Sequence, residues 1–264
     1  MVPVLIQLGP LTIYSFGAMM ALAFLISGYV VSLELERKGF DPEHAWSIVL
    51  WAAVGGIVGA RLFVIFGDWR GFLAEPLSFI LTGAGFIWYG GLAGGFLSVT
   101  YYLRRERIPW LTAVDCIAPG LALGQAIGRI GCQVSGDGDW GRVTALPWGM
   151  AYPKSIIGWS AWLQSAGLPA DARVHPAPAY ETLAYSLVFL VLWRMRDRGP
   201  TAGSMFWLYL VLSSVARFAI ESIRVEPRIA LGLTQAQWIA IPLALLALAL
   251  LVRPSTAAPA GTAR

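Results

Sequence analysis

Arginine is costly inside an apolar run, and a charge kept at bilayer depth marks a functional site by default. This chain keeps several. Arg61 lies in GARLFVIF, Arg129 in GQAIGRIG, and RFAIESIR begins with Arg217 and ends with Arg224. Arg217 and Arg224 stand two helical turns apart, with Glu221 between them at i+4 and i−3, the spacing of a same-face ion pair. A guanidinium is permanently charged, and its forked donors match the oxygens of a phosphate. Arginines lining a membrane cavity therefore point to a phospholipid headgroup. A substrate carboxylate or a purely structural Asp–Arg pair would leave the same trace, and Arg224 and Arg228 have the placement of arginines that snorkel to headgroups.

Other residues carry weaker signals. The stretch GQAIGRIGCQVSGDGDWG surrounds Arg129 with glycines, which let a ligand reach backbone and charge together. Its Asp137 and Asp139 fit an acidic cation site, but aspartates alternating with glycines more commonly make a tight turn with Asx bonds. Cys132 has the type of a nucleophile and equally that of a small buried hydrophobe. His175 opens HPAPAYE and Glu181 closes it, a base and a carboxylate at the mouth of an apolar run. His44 receives no role. Two cysteines without a CxxC pair make neither a disulfide scaffold nor a metal site, and no metal or other cofactor is expected.

The elements that must position these groups follow from composition. Of 264 residues, 57% are hydrophobic and 13% charged, about half the roughly 25% charge of an ordinary soluble domain. Mean hydropathy is +0.66. A soluble surface cannot be built from so few charges, which excludes a disordered chain and a cytosolic enzyme. The basic residues are scattered beside apolar runs, so there is no clustered face for nucleic acid. The expected fold is an all-α integral membrane protein of about seven transmembrane helices with a small extracytoplasmic head.

A span needs about 20 apolar residues. Seven runs approach this, at 15–33, 45–66, 88–103, 113–131, 180–193, 204–220 and 238–252, the fifth being short unless it begins in the preceding loop. Gly55, Gly56, Gly59 and Ala60 in the second favour close helix packing. Arg37 and Lys38, Arg104, Arg105 and Arg107, Arg194, Arg196 and Arg198, and Arg253 with Arg264 fall on one side, which should be cytoplasmic. That leaves the N-terminus outside and the C-terminus inside. The first run lacks a positive flank and is expected to stay in the protein. Residues 67–87, with PLSFILTGAG, suit a re-entrant or surface-lying segment. The expected organisation is one polytopic membrane domain over 1–252, with a head inserted at 132–179 and a disordered cytoplasmic tail at 253–264.

At these residues the chain resembles the prolipoprotein diacylglyceryl transferase family. YSFG, GARLFVIF, YGGLAGG (89–95), DCIAPGLALGQAIGRIG (115–131), WGR (140–142), HPAPAYE, RFAIESIR and QWIAIP (237–242) occur in the family's order along nearly the whole chain. The family signature usually carries Asn where Cys132 stands, His where Tyr89 stands, and Tyr where Phe16 stands, with Tyr14 nearby. The resemblance implies a multi-pass bacterial inner-membrane enzyme. It would move diacylglyceryl from phosphatidylglycerol to the lipobox cysteine of a prolipoprotein signal peptide and leave glycerol phosphate. It assigns catalysis to Arg129 and Arg217, with Tyr89, Glu181 and Glu221 as further candidates and His175 as an alternative base. Arg129, Arg61, Gly141, Arg224, Gln237, Cys132 and His175 are the expected phosphatidylglycerol-binding set. A paralogue with another acceptor and a non-enzymatic lipid-binding protein are the other readings.

Overall fold

The computed structural model describes residues 1–9, 11–81, 88–198 and 201–253. The expected re-entrant segment lies partly, and the tail beyond Arg253 wholly, outside the described residues. The chain forms two compact units, 28–116 and 1–27 with 117–264, whose boundaries fall within two of its helices.

Every one of the seven apolar runs is a helix. After a hairpin of β1 (Val4–Leu8) and β2 (Leu11–Tyr14) come α1 (Ser15–Arg37), α2 (His44–Gly67), α3 (Trp69–Ala74), α4 (Pro76–Leu81) and α5 (Trp88–Arg105). Then follow α6 (Trp110–Ser135), α7 (Trp159–Ser165), α8 (Ala177–Met195), α9 (Ser204–Glu221), a hairpin of β3 (Arg228–Ala230) and β4 (Leu233–Thr234), and α10 (Gln235–Leu251). Of these, α1, α2, α6 and α9 are both long and apolar enough to cross a membrane, which makes the chain a helical multi-pass membrane protein. Two expectations shift. The fifth run is lengthened because α8 starts at Ala177, inside HPAPAYE, where Pro178 suits a first helical turn. The fourth continues to Ser135, so Cys132 belongs to a helix rather than to the head. The β hairpins add short strands to the all-α expectation.

In the unit 28–116, α2 and α5 approach to backbone contact. A Cβ on Gly59 would lie 2.3 Å from the Gly90 oxygen, and one on Gly94 2.2 Å from the Gly55 oxygen. Glycine at i and i+4 on both helices removes the side chains that would hold them apart.

In the other unit, Ala118, Ala122, Val188, Leu192, Met205 and Tyr209 form a core between α6, α8 and α9. Small residues on α6 face large ones on α8 and α9, so side chains of different size interdigitate. The head has its own core of Trp140, Tyr152, Trp159, Leu163, Ala172 and Val174. Trp140 packs edge-on against Trp159 at 5.0 Å between ring centres, a favoured aromatic geometry.

Candidate active site

Three helix ends and one head segment of the unit 1–27 with 117–264 supply the charged groups. Arg129 lies two turns before the end of α6, and Glu181 in the second turn of α8. Arg217 lies one turn before the end of α9, Glu221 ends that helix, and Arg224 follows three residues later. Asp139 comes from the glycine-rich segment after α6.

Glu181 is the hub. Its Oε2 lies 2.9 Å from Arg129 Nε and 3.8 Å from Arg224 Nη1, while its Oε1 accepts from Arg217 Nη1 at 2.7 Å. Glu221 Oε2 lies 2.9 Å from Arg217 Nη2 and 3.6 Å from Arg224 Nε. Asp139 closes the ring, accepting from Arg224 Nη2 at 2.8 Å and in direct contact with Arg129 Nη1. Glu226, on the exposed side, lies 3.2 Å from Arg224 Nη2.

Burial separates these groups into two sets. Glu181, Glu221 and Arg224 are buried, whereas the side chains of Arg129 and Arg217 keep 26% and 27% of their surface. An arginine has five N–H donors, and Glu181 and Glu221 use only some of them. The buried carboxylates thus fix two partly exposed guanidiniums, each with donors to spare. Burial alone would raise the Asp139 pKa, but the hydrogen bond and charge of Arg224, then those of Arg129, hold it below its ordinary value. Burial alone would lower the Arg224 pKa, but Asp139 raises it further and the cation stays protonated.

Backbone pairing places the head on the helix ends. Gly141 N donates to His175 O at 2.8 Å, His175 N to Arg142 O at 2.9 Å, and Arg142 N to Ile223 O at 2.7 Å. WGR, the start of HPAPAYE and the end of RFAIESIR are therefore stitched together next to Arg224. Only glycine fits the crossing, since a Cβ on Gly141 would lie 2.8 Å from both His175 Cβ and the Ile223 oxygen. The His175 ring has its Nδ1 3.3 Å from the Tyr180 hydroxyl, which accepts from Trp148 Nε1 at 2.8 Å.

The remaining expected residues are placed differently. Cys132 is buried, with its sulfur accepting from Arg129 Nη1 at 3.7 Å. Cys132, Asp137 and Asp139 present ligand atoms within 4.8 Å of one another, but Asp139 is already taken up by two arginines. Asp139 N donates to Asp137 Oδ1 at 3.3 Å, and Gly136 and Gly138 have positive φ, so GDGD is a tight turn with an Asx bond. Gln237 makes a capping box with Thr234 at the start of α10. Its amide donates to Phe218 O at 3.2 Å and Ser222 Oγ at 3.3 Å, tying α10 to the end of α9. Arg61 on α2 and Tyr89 on α5 belong to the unit 28–116. A cleft of about 360 Å³ beside the end of α6 is lined by Pro3, Tyr14, Phe16, Gly17, Ser135 and Ile156.

Asp139 is the member of the cluster that the expected site did not include. Its signal was an acid ten residues after Arg129 in a glycine-rich segment, but nothing local distinguishes it from Asp137. The structural Asp–Arg pair, one of the readings open from sequence, is realised here alongside the buried Glu181–arginine pairs.

Residues 3–253 match the family model described as prolipoprotein diacylglyceryl transferase. Among curated relatives, a protein of Clostridium tetani is 31% identical over 86% of this chain and 87% of its own length. One of Thermus thermophilus is 32% identical over 94% and 97%, and one of Gloeobacter violaceus 33% identical over 90% and 87%. All three are named phosphatidylglycerol–prolipoprotein diacylglyceryl transferase.

Proposed function

The chain belongs to the prolipoprotein diacylglyceryl transferase family of transferases, and from this we propose that it moves diacylglyceryl from phosphatidylglycerol to the lipobox cysteine of a prolipoprotein. The carrying observation is the pair Arg129 and Arg217, partly exposed and both held by buried Glu181. Phosphatidylglycerol and the names of the relatives agree with a site built for a phosphate.

In the proposed reaction the cysteine sulfur attacks the diacylglyceryl carbon next to the phosphate. The C–S bond forms, the C–O bond to phosphate breaks, and its electron pair leaves with glycerol phosphate. The thiol proton passes to a base. As the C–O bond breaks, negative charge grows on the phosphate oxygen, and donors already in place stabilise it without reorganising. We assign that role to Arg129 and Arg217. Glu181 lies against Arg129, Arg217 and Arg224 and Glu221 against Arg217 and Arg224, so we assign both carboxylates to holding those cations rather than to accepting the proton. Tyr89 and His175 remain the candidate bases. Gly141 fixes the head against the site, Gln237 supports the end of α9, and Arg224, Arg61 and Cys132 belong to the lipid-binding set, Arg224 on the phosphate beside Arg129.

We further propose seven spans in a bacterial inner membrane, with the N-terminus and head outside and the C-terminus inside. This places the arginine cluster near the outer face, where exported prolipoproteins carry their lipobox. The test is reconstitution of the full chain in phosphatidylglycerol vesicles with a lipobox peptide. The wild type gives a thioether-linked diacylglyceryl peptide and Arg129→Ala gives none while still inserting. Full activity in Arg129→Ala contradicts the assignment.

A further inference from the structure

We propose that Asp139 is exchanged for the phosphate of the lipid, its carboxylate occupying the position on Arg129 and Arg224 that the ligand's anionic oxygens take. This rests on the reading that the arginine cluster receives a phosphate. The argument begins with charge. Arg129, Arg217 and Arg224 contribute three positive charges, and the fully buried Glu181 and Glu221 remove two. One positive charge remains on the ion-paired groups, and Asp139 balances it; Asp137 lies beside Asp139 but makes no ion pair with an arginine among the described residues. A phosphodiester carries one negative charge, so it can replace Asp139 without leaving the three arginines over- or under-neutralised. Adding it beside Asp139 would place two anions on the same two guanidiniums, a like-charge contact in a partly dry site. Glu226 touches Arg224 from the exposed side, with 42% of its side-chain surface open, and its effect is screened by solvent.

The groups differ in how firmly they are held. Glu181 and Glu221 sit on helices and are buried to about 1%. Asp139 sits in a turn between helix and head and keeps 32% of its side-chain surface. It is the carboxylate that can withdraw without breaking a helix. Its two arginines face it with forked donors, and two oxygens of a phosphodiester offer the same pair of acceptors. Asp139 therefore sets which ligands the site takes. A neutral headgroup cannot displace it, whereas a phosphate-bearing anion can.

The test is direct binding by the detergent-solubilised full chain, with short-chain phosphatidylglycerol and, separately, inorganic phosphate as probes. Asp139→Asn removes the competing charge and should tighten binding of either probe by about tenfold, the worth of one charge-assisted hydrogen bond. Asp139→Glu keeps the charge and should not tighten it. In activity assays Asp139→Asn should lower KM for phosphatidylglycerol, a change that a merely structural role would not produce. In the wild type, short-chain phosphatidylglycerol should speed hydrogen exchange at the backbone of residues 136–140, a measurement that needs no variant to fold. Unchanged or weaker binding in Asp139→Asn, or protection of 136–140, overturns the exchange. If that result comes while Arg129→Gln still weakens binding, the phosphate-site reading stands and only the exchange fails. If Arg129→Gln leaves binding unchanged, both fail.

Discussion

Glu181→Gln is the sharpest perturbation of the cluster. The wild-type carboxylate accepts from Arg217 at 2.7 Å and pairs with Arg129 at 2.9 Å, and it is fully buried. Each hydrogen bond to a charged group is worth about 1.5–3 kcal/mol net, and burial leaves little solvent screening to discount. Glutamine keeps one carbonyl oxygen and can satisfy one of the two arginines. The loss is then one such bond plus the missing charge, about 2–4 kcal/mol. Expressed as misplaced arginines in the transition state, that is about a 30- to 1,000-fold loss in kcat/KM. The assay is the initial rate of diacylglyceryl transfer to a lipobox peptide in phosphatidylglycerol vesicles, with insertion checked by protease protection. On the proposal that Glu181 holds arginines and does not take the thiol proton, the pH–rate profile should keep its shape. Activity within about threefold of wild type would refute the hub assignment, and loss of the acidic limb of the profile would refute the division between holding and proton transfer.

Gly141→Ala should lower stability by about 1–3 kcal/mol, because the new Cβ would meet His175 and the Ile223 backbone; thermal unfolding in detergent checks this, and an unchanged midpoint counts against the stitched joint. Gly59→Val should loosen α2 from α5 by a similar amount, about 1–3 kcal/mol, since its Cβ would collide with the Gly90 oxygen; wild-type stability would mean that the helices do not touch there. Asp139 has a depressed pKa, so its stabilising contribution is complete above the ordinary carboxylate value of about 4 and is lost as pH falls through the lower folded value. The gap in unfolding midpoint between wild type and Asp139→Asn should therefore be constant from about pH 5 to 8 and close below about pH 4. Burial raises the Tyr152 pKa to about 12, against a partial opposing effect of its hydrogen bond to Gln133. Its contribution is thus complete below the unfolded tyrosine value of about 10 and fades as pH rises through 12, and Tyr152→Phe should remove that alkaline fall.

Arg129 and Arg217 were legible in the sequence because a charge in an apolar run is expensive enough to need a reason. The seven apolar runs were legible because hydrocarbon requires length and hydrophobicity that little else demands. Glu181 stood out at the mouth of a run, but its service to three arginines depends on α6, α8 and α9 meeting, which no local pattern encodes. Asp139 and Asp137 look alike in GDGD; the Asx bond and the reach of Arg224 decide between them. Gly141 reads as one glycine among many until the crossing of three segments excludes a side chain. Gln237 was marked by the family resemblance, and its capping of α10 is visible only with Thr234 and the end of α9 in place. The hairpins escaped notice because VLIQLGPLTIY and RIALGLT are as apolar as the helices beside them.

The most direct test of the central claim is complementation in a bacterium depleted of its own diacylglyceryl transferase, followed by mass spectrometry of a reporter lipoprotein. A diacylglyceryl mass on the lipobox cysteine, present with the wild type and absent with Arg129→Ala, is the predicted result. An unmodified cysteine with wild-type protein confirmed in the membrane would contradict the account.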